Sequence, residues 1–244
     1  MKRLYKKSEL AFAIIWIVFY VLVFSVADML SAYLGYEKII TAPISVAVSL
    51  FLFLWIWKNG LTDKYGLKRA KFPFKVYLCF IPLIVMISVN LWGGIRFQYG
   101  VLETVLFVVS MLGVGVIEEL IFRGFLFKAM SKDSVTWAIV VSSLTFGLGH
   151  VINLINGAEV IPTLLQIVYA IAGGFLFTVI FYKSGCLLPC IIAHGLINAL
   201  SVFAVDFTFK FHIITAVCLK IISLGYALWI LWKSSSGNKE DKRS

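Results

Sequence analysis

The run from about Val101 to Phe127 is apolar and long enough to cross a bilayer, yet Glu118, Glu119 and Arg123 lie inside it. A charge at membrane depth costs on the order of 3 kcal/mol on insertion scales, so ionisable residues there mark functional sites by default. Whatever this chain folds into must therefore give these groups partners inside the protein. At helical spacing Glu119 and Arg123 stand at i and i+4 on one face and can neutralise each other. Glu118 is turned about 100° away and needs a different neighbour.

The rest of the chain is built to match. It is 61% hydrophobic and only 14% charged, too apolar for a single soluble core. A hydrocarbon layer about 30 Å thick takes roughly 20 residues of helix. Eight runs qualify: Leu10 to Met29, Ile39 to Trp57, Phe74 to Trp92, Val101 to Phe127, Val135 to His150, Val160 to Tyr182, Leu187 to Val205 and Phe209 to Trp232. They predict an all-α fold, a polytopic membrane bundle of about eight transmembrane helices. Residues 1–244 form one transmembrane domain, with a motif-bearing core over about 101–201.

The net charge of +10 does not call for nucleic acid, because the basic residues sit in short segments between apolar runs. Lys2, Arg3, Lys6, Lys7, the loop from Lys58 to Lys75, Lys128, Lys132, Lys183 and the tail after Lys233 fall on alternate connections. By the positive-inside rule these face the cytoplasm, which puts both termini there in a multi-pass protein of the cell membrane. The basic start and Ser25-Val26-Ala27 resemble a cleavable leader, but the run is longer than an ordinary signal core. Cys79, Cys186, Cys190 and Cys218 show no CxxC spacing and read as reduced packing residues.

Three more polar side chains lie in later spans: His150, and the i, i+4 pair His194 and Asn198. Taken singly, a buried His or Asn in a bundle is more often an interhelical hydrogen-bonding group. Glu118 tips the balance, since its own helix offers it no cation. A water held between Glu118 and His150 could lose its proton to either, with general-base help of typically 10²- to 10⁴-fold. His194 and Asn198 would supply donors for the oxyanion. Zinc held by His150, His194 and Glu118 is the second mechanism, although no HExxH or GxSxG signature occurs. Lys220, in the last run, is expected to snorkel or pair with a carboxylate, Asp28 and Glu103 to be interfacial, and Gly173-Gly174 to permit close helix approach.

Glu118-Glu119-Leu120-Ile121-Phe122-Arg123, Phe146-Gly147-Leu148-Gly149-His150 and His194-Gly195-Leu196-Ile197-Asn198 resemble, in order, the EExxxR, FxxxH and HxxxN motifs of the CPBP family. These are the CAAX-protease and bacteriocin-processing, or Abi, intramembrane glutamate endopeptidases. The resemblance implies Glu118 as the water-activating base, His150 as its partner, and His194 with Asn198 as the oxyanion site. Glu119 and Arg123 would hold the first motif in shape, and neither a cofactor nor a metal is expected. The implied partner is a peptide or membrane-protein substrate, in bacteriocin or peptide maturation, self-immunity or peptide signalling. Two other classes compete: a non-catalytic membrane partner or immunity protein, and a proton-coupled transporter.

Overall fold

The computed structural model describes residues 1–68, 80–205, 217, 221–229 and 231. Its helices are α1 (Lys2–Lys7), α2 (Glu9–Tyr33), α3 (Thr41–Lys58), α4 (Ile81–Ser88) and α5 (Val101–Glu119). The last of these runs on as a π-helix over Leu120–Phe127 and ends in α6 (Lys128–Met130). Then follow α7 (Val135–Gly149), α8 (Ile152–Ile155), α9 (Val160–Ser184) and α10 (Leu188–Leu200). Among the described residues there is no strand, only an isolated bridge between Ile95 and Ala204. Residues 221–229 are helical.

Local chemistry sets the helix ends. Ser8 caps α2 by accepting from the Ala11 amide, and Ser134 caps α7 by accepting from Trp137. Gly185 closes α9 at φ 65°, a left-handed position that favours glycine. Pro189 sits in the first turn of α10, where its missing N–H costs nothing.

Five helical stretches are long and apolar enough to cross a membrane: Glu9–Tyr33, Thr41–Lys58, Val101–Met130, Val135–Ile155 and Val160–Ser184. The chain is thus an all-α, multi-pass membrane protein. Of the other expected spans, Leu187 to Val205 is a shorter apolar helix, Leu188–Phe203, and Phe74 to Trp92 falls within the described residues only from Phe80, with the helix Ile81–Leu91. The 13 residues of α10 reach about 20 Å, less than the hydrocarbon thickness. A 3₁₀ turn, Ser201–Phe203, stops it, and the chain beyond is held where Arg96 N–H donates to the Phe203 carbonyl. The eighth run, with Lys220 and His212, lies mostly outside the described residues, as do Cys79 and Cys218. Cys186 and Cys190 are free and buried.

Burial separates centre from rim. More than half of the Val101–Met130 and Val160–Ser184 stretches is buried, against 28% for Glu9–Tyr33. The outer helices turn Ile14, Val18, Leu22, Leu50 and Leu54 outward, an apolar surface that only lipid can cover. Helix α5 packs against α3 and α10, and α9 against α7. A side chain on Gly115 would run into the backbone of Gly195, so these two glycines let α5 and α10 touch main chain to main chain. A Cβ on Gly174 would press on the side chains of Phe146 at 3.0 Å and Arg123 at 3.1 Å, and one on Gly147 would run into Ile171. The close-approach reading of span 6 holds at Gly174. In span 5, Gly147 serves contact with α9.

One end of the bundle gathers the basic residues. Glu9 is bridged by Lys64 at 2.7 Å and Lys132 at 2.8 Å, and Lys64 donates to the Tyr5 hydroxyl. Burial works against the charged Lys64, but hydrogen bonds to Glu9 and Tyr5 outweigh it and hold its pKa above the ordinary lysine value. At the opposite end Asp28 pairs with Lys38 at 2.9 Å and Glu103 accepts from the Glu37 amide. Both acids lie near helix ends, where the sequence put them.

Candidate active site

The glycine contact between α5 and α10 carries His194 up to the two adjacent carboxylates. Its Nδ1 is 2.9 Å from Glu119 Oε1 and its Nε2 is 3.3 Å from Glu118 Oε2. An ionised carboxylate only accepts. Two proton placements satisfy both contacts: a doubly protonated ring, or a neutral ring with the proton on Glu118 meeting Nε2. Either way, one imidazole from the seventh run links the two glutamates of the fourth.

Glu119 faces inward from there. Arg123 Nη1 is 3.0 Å from the same Oε1, the i, i+4 pair expected from spacing, and both residues are completely buried. The N–H vectors do not aim at the oxygen, however. None of the guanidinium nitrogens has a hydrogen-bond acceptor among the described residues, and Glu119 Oε2 has no donor. The pair is therefore a charge contact, completed by rings: the guanidinium carbon lies 4.2 Å from the Phe146 ring centre and 5.5 Å from that of Phe177. A desolvated cation over an aromatic face gains about 2 kcal/mol. Removing Glu119 would leave that cation with rings alone.

Glu118 faces the other way. It is 7% exposed, and its Oε1 accepts a 2.7 Å hydrogen bond from the Tyr20 hydroxyl on α2. It lines a cavity of about 470 Å³ together with Tyr20, Asn90, His150 and Asn198. A smaller space of about 80 Å³ is lined by His150, His194, Asn198 and Tyr169. His150 closes α7, its amide bonded to the Gly147 carbonyl, and Phe146 makes edge-on contacts with both its ring and that of His194. All four candidate catalytic residues thus line two cavities that share His150 and Asn198. Among the described residues no three His, Cys, Asp or Glu side chains form a group that could hold a metal ion.

Residues 100–200 match the family model described as type II CAAX prenyl endopeptidase Rce1-like. Over that segment the chain is similar to the Rce1-like family. No curated protein and no solved structure matches. The matched segment begins with α5 and ends with α10, so it contains every motif residue above. Helix α2 lies outside it.

Three participants escaped the sequence reading. Tyr20 is a hydroxyl in the middle of a mostly apolar run, a weak sequence signal, and its partner lies 98 positions on. Phe146 opens the FxxxH motif, but its position over Arg123 follows from the packing of α7 on α9. Asn90 donates to the Ile197 carbonyl at 2.6 Å, pinning α10 beside the cavity.

Proposed function

We propose that the protein is an intramembrane endopeptidase in which Glu118 activates water, with the whole chain acting as one transmembrane unit around a core of about 101–201. The observation that carries this reading is that Glu118 alone of the two glutamates reaches a cavity large enough for a peptide strand, one that His150 and Asn198 also line. Glu118 takes a proton from a water positioned with His150, and the water oxygen bonds to the scissile carbonyl carbon. Asn198 donates to the oxygen that becomes negative, while His194 holds Glu118 through Nε2. The C–N bond then breaks, and the proton on Glu118 passes to the leaving nitrogen. A buried charge pair, Glu119 with Arg123, holds the π-helix and orients His194 through Nδ1.

The substrate is a peptide or membrane-protein segment. A prenylated CAAX tail belongs to the description of the matched family, and peptide maturation, self-immunity or signalling are the uses we favour for this chain. The charge distribution supports both termini in the cytoplasm. The purified protein should cleave such a peptide in detergent at a rate unaffected by chelators. Loss of turnover on chelation, restored by zinc, would transfer the water-activating role to a metal. Ion flux into vesicles without any peptide cleavage would favour the transporter reading.

Tyr20 is a positioning residue in this scheme. A hydrogen bond to a charged acceptor contributes about 1.5–3 kcal/mol, so Tyr20→Phe should lower kcat by about tenfold to a hundredfold. KM should change little, and the pH profile of kcat should shift because the donor touches Glu118. An unchanged profile and rate would show that the hydroxyl only packs.

A further inference from the structure

The cavity beside Glu118 is closed in one direction and continues in the other. Toward the basic end it meets the π-helix, all eight residues of which are buried. Behind that helix Phe125 packs edge-on against Phe12 and Tyr65, and Phe127 against Phe181. Phe12, Tyr65, Phe125 and Phe127 are each at most 2% exposed, which leaves no path along that axis among the described residues.

In the opposite direction the wall runs from Tyr20 past Phe24 to Ser25, Asp28, Lys38 and Asn156. Those last four residues also line a second cavity of about 700 Å³, at the end that carries the Asp28 and Lys38 pair. Burial falls along this line, from Glu118 at 7% exposure to exposed Asn156 and Gln166. The wall is set with carboxamides: Asn90, Asn153, Asn156, Gln166 and Asn198. Each can donate and accept, the pattern that an extended peptide backbone presents. Asn153 donates to Gln166 and Asn90 to the Ile197 carbonyl, so part of the set is already held in place.

We infer that a peptide substrate reaches Glu118 from the end of the bundle opposite Lys64 and Lys132, through a carboxamide-lined vestibule between Asp28 and Asn156. The inference rests on the hydrolase reading for its substrate, but the location of the opening stands on geometry alone. It gives the polar residues at the far ends of α2, α8 and α9 a common purpose.

Two measurements test it in sealed right-side-out and inverted vesicles. A charged methanethiosulfonate reagent that cannot cross bilayers is applied to Ser25→Cys and Lys132→Cys chains, with the unsubstituted chain as background. Ser25→Cys should react at least about tenfold faster from the face opposite the one that labels Lys132→Cys, since thiol reactivity follows access. Faster reaction from the Lys132 face would overturn the inference. In the same vesicles, a peptide unable to cross bilayers should be cleaved only when supplied on the face that labels Ser25→Cys, and cleavage confined to the other face would also overturn it. Failure of the detergent-solubilised wild type to cleave would refute the hydrolase reading itself, while the labelling result still decides where the cavity opens.

Discussion

Glu119→Ala should yield little folded protein, and what folds should melt well below the wild type and show no turnover. Among the described residues, the substitution leaves completely buried Arg123 with no carboxylate and deprives His194 Nδ1 of its only partner. Breaking a buried pair by deleting one member costs about 3–5 kcal/mol, because the remaining charge is stranded in a low-dielectric setting. The Phe146 and Phe177 rings offset part of this, but none of the guanidinium nitrogens has a hydrogen-bond acceptor to fall back on among the described residues. Thermal unfolding followed by size-exclusion recovery in detergent checks the expectation. A monodisperse Glu119→Ala protein with a wild-type midpoint would show that the π-helix is held by packing instead.

The contrast between the neighbouring glutamates shows how far the residues alone could be read. Spacing sufficed for Glu119 and Arg123, because i and i+4 on one helix is a local relation and the pair forms at 3.0 Å. It also separated Glu118 from that pair. It did not show that the helix changes to π hydrogen bonding at Leu120, since no residue type encodes that and the wider turn becomes visible only when the backbone is in hand. Nor did it find His194 between the carboxylates. The sequence reading set a water between Glu118 and His150 and left His194 facing the oxyanion, whereas the fold places both His194 nitrogens against glutamates. That contact depends on Gly115 meeting Gly195 across two helices far apart in the chain, a coincidence of surfaces that periodicity cannot carry.

Span lengths tell a similar story. Hydropathy locates apolar runs, and five of them are helices long and apolar enough to cross a membrane. It overstates Leu187 to Val205, because a helix sheltered against α5 need not match the bilayer and can stop early in a 3₁₀ turn beside Ile95 and Arg96. Tyr20 was invisible for the same reason as His194. Its importance lies entirely in which side chain waits across the interface.

The second large effect is expected at Glu118, and it tests the central claim most directly. Glu118→Gln keeps the size of the side chain and an oxygen to accept from Tyr20, so the fold should be preserved. What it loses is the ability to take a proton. General-base assistance is typically 10²- to 10⁴-fold, and in a site without a covalent nucleophile nothing replaces it. Initial rates of peptide cleavage by purified wild type and Glu118→Gln, matched for thermal midpoint, should differ by at least about a hundredfold. If the Glu118→Gln protein instead turns over at the wild-type rate, water is not activated by this carboxylate and the mechanism built on it is wrong.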